Sequence, residues 1–224
     1  MSSLKIITTQ DGSHSLLNEQ LNETYHSVHG ALQESKHVFI QHGLDFVNKN
    51  QGPTTIHILE IGFGTGLNAL LTLQYAIANK LSIQYTTLEA FPVEEAIWSN
   101  LNYVESDEEK KQFKKLHHAN WNEVESIDHV FAIRKLHTTL QQVELEVNQY
   151  DVIYFDAFAP NKQPEMWELP MLQKIASSMK HDGVFVTYCA KGQLKRNLKS
   201  VGLTVETLPG PPGKREMVRG TKNN

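Results

Sequence analysis

Beyond residue 50, short apolar runs alternate with stretches whose apolar residues recur at helical spacing. The runs are rich in β-branched and aromatic residues, which is typical of strands buried on both faces of a sheet. The pattern predicts strands at 56–61, 83–88, 130–136, 152–155 and 183–188. It predicts helices at 67–78, 93–103, 171–179 and 193–200, and leaves the polar stretch 110–125 unassigned.

Two further runs, 203–208 and 216–220, are separated by a turn rich in proline and glycine. Such a pair predicts a closing β-hairpin. Strands that alternate with helices form mainly parallel sheets with helices on both faces. We therefore predict a doubly wound α/β fold with a mostly parallel, seven-stranded sheet and a terminal β-hairpin. Ligands of such folds bind beyond the carboxyl ends of the strands.

The first 50 residues are polar and rich in histidine, and they show no strong period. We therefore divide the chain into an N-terminal extension, residues 1–50, and an α/β domain, residues 51–224. One role open to the extension is to form part of the substrate pocket, although nothing in its pattern tests that role.

Composition narrows the class of protein. A chain of 224 residues with 40% hydrophobic and 21% charged residues fits one soluble globular domain. The most apolar stretch, 56–73, is interrupted by Glu60 and glycines, and no signal-peptide pattern is present. Cys189 is the single cysteine, which fits a reducing compartment. We expect a cytoplasmic protein without membrane contact.

Positive charge is concentrated in the carboxyl-terminal segment, although the formal net charge is −4. From residue 191 onwards, eight basic residues stand against two acidic ones, so the segment carries +6 and the preceding residues −10. Such a segment is usually a solvated helix and tail. It could also contact phosphates through its local charge. Charge alone leaves both interpretations open.

A glycine-rich segment follows the first predicted strand and opens the first predicted helix. Residues 60–66 read Glu-x-Gly-x-Gly-x-Gly, and glycines allow sharp turns and close approach to a ligand. The dinucleotide fingerprint places its third glycine one residue later, which disfavours a nicotinamide oxidoreductase. An acid before the first glycine would repel a pyrophosphate but attract the ammonium end of S-adenosylmethionine. The candidate cofactor-binding residues here are Glu60, Gly62, Gly64, Gly66 and Asn68.

A second acid, Glu89, ends the second predicted strand, 23 residues after Gly66. At about this distance, nucleotide-binding sites carry an acid that binds ribose hydroxyls. For Glu89 alone, a solvated surface position is the alternative. Together with the glycine segment and the hairpin, it predicts the Rossmann-like class I fold of S-adenosylmethionine-dependent methyltransferases, with S-adenosyl-L-methionine as cofactor.

The fourth predicted strand leads into Asp156, Phe158 and a proline-rich loop that reaches Trp167. Methyl transfer from a sulfonium requires the acceptor's lone pair to be aligned with the methyl group. An alkyl ammonium has a pKa of about 10, so a carboxylate beside an amine acceptor would orient it and receive its proton. We predict that Asp156 is catalytic and that Phe158 binds substrate by stacking on a base. The alternatives are a helix cap for Asp156 and core positions for the two aromatic residues.

Two other kinds of chemistry are not supported. Cys189 would be required for methylation of a pyrimidine ring carbon through a covalent adduct. It ends an apolar strand, where a free cysteine is commonly a small buried hydrophobe, so we expect it to be inert. The eleven histidines come without partner cysteines or an H-E-x-x-H pattern, so we predict no metal site.

Together these segments resemble the methyltransferase half of the MnmC family, bifunctional bacterial enzymes that complete 5-methylaminomethyl-2-thiouridine at the tRNA wobble position. The positions that carry the resemblance are 59–68, Asp156-x-Phe158-x-Pro160, Pro164, Trp167 and the Gly-Lys-Arg-Glu-Met sequence at 213–217. A looser similarity covers 25–39. Many methyltransferases share the first motif, whereas the aspartate loop and the Lys-Arg-Glu-Met sequence are far more specific.

The resemblance implies that the acceptor is the aminomethyl nitrogen of the wobble uridine, with Asp156 beside it. It implies tRNA as a partner and makes Lys214 and Arg215 candidates for phosphate contacts. The family's FAD-binding oxidoreductase half has no counterpart in these residues, so the chain resembles a stand-alone methyltransferase with a separate FAD-dependent oxidoreductase acting upstream. One departure concerns adenine recognition, because family members tend to carry an acid where this chain has His137.

Two other functions remain open. A methyltransferase that acts on a small-molecule or protein amine would turn over without tRNA. A non-catalytic binding protein that kept the methyltransferase fold would have no affinity for the cofactor, although the intact glycine segment and Asp156 disfavour it.

Overall fold

The computed structural model describes residues 4–52 and 54–223, which form two sheets and surrounding helices. The strands of the small antiparallel sheet are β1 (Leu4–Thr8), β2 (His14–Asn18) and β3 (Glu23–Thr24). Those of the main sheet are β4 (Thr55–Ile61), β5 (Ser82–Leu88), β6 (Val124–Asp128), β7 (Phe131–Leu136), β8 (Tyr150–Phe155), β9 (Met179–Thr187), β10 (Leu203–Pro209) and β11 (Glu216–Lys222).

The helices lie between these strands in chain order. They are α1 (Ala31–Ser35), a π-helix (Lys36–Leu44), α2 (Asp45–Gln51), α3 (Leu67–Asn79), α4 (Glu95–Trp98), α5 (Asp107–His118), a 3₁₀ turn (Pro164–Trp167), α6 (Leu169–Ser178) and α7 (Gly192–Ser200). No helix in the described part of the chain is long and apolar enough to cross a membrane.

Five parallel strands form the centre of the main sheet. The strand order is β10-β11-β9-β8-β4-β5-β7-β6, in which the run from β9 to β7 is parallel throughout. The hairpin β10–β11 joins the sheet through β11, which pairs antiparallel with β9. The predicted α/β fold, with a mostly parallel sheet and a terminal hairpin, is confirmed.

The strand count is a correction, because the main sheet has eight strands where the sequence pattern predicts seven. The additional strand, β6, pairs antiparallel with β7 at the edge of the sheet. Ile127 is its one buried residue. An edge strand exposed to solvent needs no apolar run, so the pattern carries no signal for it.

The connection between β5 and β7 also differs from the prediction. The predicted helix 93–103 is reduced to the single turn α4, and the unassigned polar stretch contains α5. A capping box starts α5, in which Ser106 Oγ accepts from the Glu109 N–H and the Glu109 carboxylate accepts from the Ser106 N–H. The surface of helix α5 is otherwise charged, and its Phe113 and Leu116 are buried in the apolar cluster that packs on the main sheet.

Residues 31–51 form a continuous helical segment that packs on the main sheet. Its central part is π-helical, and the Phe39 ring lies 5.2 Å from the Tyr154 ring of β8. Gly43 lets the helix approach closely, since a Cβ there would lie 3.1 Å from Val186 of β9. A π-helix does not repeat every 3.6 residues, which explains the absence of a helical period in the sequence. The division of the chain at residue 50 stays a prediction.

Apolar clusters cover both faces of the main sheet. One joins it to α3, α5 and the π-helix, and the other joins it to α6 and α7. From β4 the chain continues to β5 on one side, whereas from β8 it continues to β9 on the other. The strand order therefore reverses between β4 and β8, where doubly wound folds have the crevice that binds their ligands.

Candidate active site

The glycine segment turns over the carboxyl end of β4. Gly62, Gly64 and Gly66 have φ angles of +95°, +51° and +75°, a region that side chains with a Cβ rarely adopt. A Cβ on Gly62 would lie 3.1 Å from the Asp156 carbonyl oxygen. The Gly62 N–H donates to Leu88 O at 3.0 Å. The loop therefore joins the ends of β4, β5 and β8 at the reversal of strand order.

The other two glycines face residues from distant parts of the chain. A Cβ on Gly64 would lie 3.0 Å from the Tyr25 ring. A Cβ on Gly66 would lie 2.7 Å from His117 Nε2. His117 stacks on Trp98 with ring centres 4.3 Å apart. Gly66 is thus required by packing inside the protein, whereas Gly62 and Gly64 border the crevice.

Glu60 lies beneath the loop and is fully buried. Its Oε2 accepts a hydrogen bond of 2.7 Å from Thr87 Oγ1, while Oε1 has no partner among the described residues. Burial raises the pKa of the Glu60 carboxyl well above its usual value, and the nearby charge of Asp156 raises it further. The unpaired oxygen is a buried acceptor available to a hydrogen-bond donor.

Asp156 follows β8 and is held by a residue of α3. Asn68 Nδ2 donates to Asp156 Oδ2 at 2.8 Å, and Asn68 Oδ1 is buried without a partner in the described chain. Asp156 is partly buried, and burial raises its pKa to about 7, with a further contribution from Glu34. The Asn68 hydrogen bond and Lys214 act in the opposite direction. A carboxyl group with this pKa can accept and release a proton near neutral pH.

Glu89 stabilises the glycine loop from the end of β5. Its Oε2 accepts from the Gly64 N–H at 2.9 Å, and its Oε1 accepts from the Phe91 N–H at 2.8 Å. Burial raises the pKa of the Glu89 carboxyl. Phe91 is 79% exposed beside it. Glu89 therefore lies at the predicted edge, with both oxygens engaged by backbone donors.

The aromatic residues of the Asp156 loop differ in environment. Trp167 is 6% exposed, packs against Phe155, and donates from Nε1 to Phe158 O at 2.8 Å. The Phe158 ring is partly exposed and meets the Tyr25 ring edge to face at 5.1 Å. Trp167 is thus a core residue that stabilises the loop, which leaves Phe158 as its candidate for substrate contact.

Asp156 does not cap a helix in this structure. Gln163 precedes the 3₁₀ turn and Glu168 precedes α6, and neither position has a side-chain cap. The Asp156 carboxylate instead bonds to Asn68 inside the crevice.

The two basic candidates of the turn between β10 and β11 lie in different environments. Lys214 forms an ion pair with the buried Glu34, and its Nζ lies 3.9 Å from the centre of the Tyr188 ring. Arg215 is exposed. The structure therefore brings Lys214 into the group around Asp156 and leaves Arg215 on the surface.

Sequence reasoning assigned no role to Tyr25, Glu34 or Tyr188, which complete this group. For Tyr25 and Glu34, the one signal in the sequence was the loose family resemblance over residues 25–39. They lie far from Asp156 along the chain, and folding alone brings them together. Cys189 is buried, which raises the pKa of its thiol. Among residues 4–52 and 54–223, no three His, Cys, Asp or Glu side chains are grouped to hold a metal.

Comparison with known proteins identifies the family. Residues 104–223 match the model of a family described as S-adenosyl-L-methionine-dependent methyltransferase, which is more than half of the chain. The chain belongs to this methyltransferase family. The predicted cofactor, S-adenosyl-L-methionine, is confirmed with it.

Curated relatives of this methyltransferase support the family resemblance found in its sequence. The MnmC protein of Leptospira interrogans, named as a tRNA 5-methylaminomethyl-2-thiouridine biosynthesis bifunctional protein, is 31% identical over 221 residues, covering 92% of this chain and 33% of the relative. The MnmC protein of Leptospira borgpetersenii is 29% identical, covering 93% and 33%. The chain thus spans about a third of the length of these relatives.

A solved structure supports the fold of the methyltransferase. The crystal structure of MNMC2 from Aquifex aeolicus superposes with a TM-score of 0.81 at 24% sequence identity, covering 98% of this chain and 70% of the other. The superposition includes the residues that precede the main sheet.

The crevice of the methyltransferase fits the cofactor of its family. Glu60 Oε1 and Asn68 Oδ1 are buried acceptors without partners among the described residues, which suits a hydrogen-bond donor of the cofactor. Glycines with positive φ shape the loop between β4 and α3. His137 lies exposed at the end of β7.

Proposed function

We propose that this methyltransferase transfers a methyl group from S-adenosyl-L-methionine to the amine of 5-aminomethyl-(2-thio)uridine at the wobble position of tRNA. The observation that carries the proposal is the Asp156 carboxylate, held by Asn68 at the reversal of strand order. The names of the curated relatives indicate the class of substrate. Because those relatives are about three times longer than this chain, membership of the family does not by itself assign the substrate.

The cofactor-binding part of the proposal follows the geometry of the crevice. Backbone groups at Gly62 and Gly64 border the ligand, and Gly66 holds the turn that opens α3. The free oxygens of Glu60 and Asn68 accept from the cofactor's ammonium group. Glu89 at the end of β5 would accept from ribose hydroxyls.

When bound, the cofactor supplies an electrophilic methyl group on a sulfonium. Asp156 orients the acceptor amine through Oδ1, because Oδ2 is held by Asn68. With its pKa near 7, the Asp156 carboxyl takes a proton from the ammonium form and exposes the nitrogen lone pair. The neutral nitrogen would then take the methyl group, the product would remain a secondary ammonium, and Asp156 would release its proton to solvent. The Phe158 ring provides a face for the uracil base.

Contacts beyond the pocket complete the proposal. Arg215, exposed near the pocket, suits a phosphate of the tRNA. The primary amine would come from a separate FAD-dependent oxidoreductase acting upstream, in the cytoplasm where tRNA is modified. No membrane or metal takes part in the proposed reaction.

The test is methyl transfer to tRNA that carries 5-aminomethyl-2-thiouridine, with mass spectrometry of the wobble nucleoside. We expect transfer by the native protein and a loss of about 100-fold or more in Asp156→Asn. Cofactor affinity by calorimetry should change little in this variant. Asp107→Asn is the matched control, because the Asp107 side chain is 95% exposed at the start of α5, and it should keep full activity.

Three results would overturn the proposal. Turnover of a small-molecule or protein amine without tRNA would favour that class of substrate. Absence of cofactor binding would favour a non-catalytic binding protein. Full activity of Asp156→Asn would remove Asp156 from the reaction.

A further inference from the structure

A partly buried ion pair joins two distant parts of the chain, and both of its charges influence Asp156. Glu34, in α1, is 5% exposed and accepts a 2.9 Å hydrogen bond from the Ser27 N–H. Lys214, in the turn between β10 and β11, forms the ion pair with it, and its side chain is 30% exposed. The two residues are 180 positions apart. The pair therefore connects the N-terminal segment to the terminal hairpin.

Neighbouring contacts hold Lys214 in place. Its Nζ lies 3.9 Å from the centre of the Tyr188 ring, a cation–π contact. A Cβ on Gly213 would overlap the His29 ring, so the turn packs tightly against the N-terminal segment. The Tyr188 hydroxyl donates to Ala157 O at 2.8 Å, at the residue that follows Asp156. The position of Lys214 is thus coupled to the backbone beside Asp156.

Stability gives a weak explanation for this ion pair. Burial of two charges costs desolvation free energy that their attraction returns only in part. Apolar residues of similar size often serve a core as well. The contacts of Lys214 with Tyr188, and of Tyr188 with Ala157 next to Asp156, place the pair where its charges affect Asp156, an effect that apolar residues could not replace.

The charged and titratable groups that interact electrostatically with Asp156 come from five parts of the structure. Glu34 in α1 raises its pKa, and Lys214 in the hairpin turn lowers it. Glu60 in β4 and Tyr85 in β5 are buried groups whose own pKa values Asp156 raises, as it also does for Tyr188 after β9. Lys214 is the cation of this set, so its charge opposes that of the carboxylates.

We propose that Glu34 and Lys214 are a pair of positioning residues for methyl transfer, which together set the charge that Asp156 presents to the acceptor amine. The inference rests on the proposed function for its role in the reaction. Glu34 favours the protonated form of Asp156 and makes it a stronger base. Lys214 limits this effect, so that enough of the carboxyl remains ionised near neutral pH to orient the amine.

The experiment follows the Asp156 carboxyl carbon by NMR as pH changes, with its signal assigned by its loss in Asp156→Asn. In the native protein the midpoint should lie near 7. We expect Glu34→Gln to lower the midpoint by about one pH unit and Lys214→Met to raise it by about one. The double variant should return close to the native midpoint, because the two effects cancel. The acid limb of the pH profile of kcat/KM should move in the same directions.

Control variants separate charge from folding. Lys195 of α7 and Glu216 of β11 form an ion pair of the same charges. Lys195→Met and Glu216→Gln should leave the midpoint unchanged. Lys214→Arg keeps the charge and should restore a midpoint near the native value. If Lys214→Met fails to fold, Glu34→Gln and Lys214→Arg still test the pair.

The outcomes distinguish this inference from the proposed function. A native protein that transfers no methyl to tRNA would overturn the proposed function, while the carboxyl titration would still test the pair. Midpoints that do not move, or that move in the same direction in both variants, would overturn the pair even in an active enzyme.

Discussion

Two regions meet at the active-site crevice, and they are built in different ways. The donor region, residues 60–89, is a continuous piece of chain whose loop is shaped by glycines with positive φ. The cover, defined as residues 25–34 with Gly213 and Lys214, is assembled from two segments near opposite ends of the described chain. The shape of the donor region depends on local backbone conformation, whereas the cover forms only in the completed tertiary structure.

This difference suggests a division of work within the crevice. The donor region carries the groups proposed to bind a cofactor that the whole family shares. The cover carries Tyr25, which lies over Gly64 and against Phe158. It also carries Glu34 and Lys214, which act on Asp156. We expect substitutions in the donor region to change cofactor affinity and those in the cover to change transfer to the acceptor.

The largest effect should come from Gly62→Ala in the donor region. The new Cβ would lie 3.1 Å from the Asp156 carbonyl oxygen at a φ of +95°. We expect cofactor affinity to fall by about 100-fold, as strain of roughly 3 kcal/mol displaces the loop. The measurement is calorimetric titration with S-adenosyl-L-methionine.

Gly202→Ala is the control for Gly62→Ala. Gly202 has a nearly identical φ of +93°, and no atom lies within 4 Å of its added Cβ. It should cost about 1 kcal/mol of stability and leave affinity unchanged. Equal affinities in the two variants would refute the role of the Gly62 turn.

An effect of intermediate size, on stability, should appear in Asp156→Asn, where the two regions meet. Burial raises the pKa of Asp156 to about 7, so the unfolded chain ionises first as pH rises above 4. The contribution of Asp156 to the free energy of unfolding is therefore fully present at low pH and is lost as pH rises through 7. Asparagine does not ionise, so the variant should be more stable than the native protein by about 2 kcal/mol at pH 8 and equally stable at pH 4.

Urea unfolding of both proteins across this pH range measures the difference. A constant difference in stability at pH 4 and pH 8 would contradict the raised pKa of Asp156. Because the Asp156 side chain is partly exposed, solvent screening makes the expected difference in stability smaller than the full change in pKa would give.

The smallest effect should come from Tyr25→Ala in the cover. Loss of the ring that borders Phe158 should lower kcat by about 10-fold through looser placement of the acceptor. Cofactor affinity should stay within about threefold of the native value. Tyr25→Phe keeps the ring and should retain most of the rate. Loss of cofactor affinity with an unchanged rate would reverse the assignment of the two regions.

Parts of the fold could be predicted because their signals are local. Strands β4, β5, β8 and β9 are apolar runs, and the terminal hairpin follows from its turn, so all were found. Strand β6 was missed because an edge strand with one buried residue shows no apolar run. The long helical segment at 31–51 was missed because its π-helical centre breaks the helical period.

The same distinction holds within the site. The glycine loop, Glu89 and Asp156 stand at strand ends, where chain order and fold class predict a common edge. Tyr25, Glu34 and Tyr188 carry no comparable local signal. The environment of Trp167 was undecided in the sequence, and burial against Phe155 decided it.

The amino-acid sequence by itself determined the α/β fold, the glycine loop and the position of Asp156, because strand periodicity and the conformational freedom of glycine act over a few residues. Only the tertiary structure decided that Glu34 and Lys214 form an ion pair beside Asp156 and that Tyr25 covers Gly64. Contacts between residues up to 180 positions apart depend on packing of the whole chain. The pKa of Asp156 depends on the same packing, since burial and neighbouring charges exist only after folding.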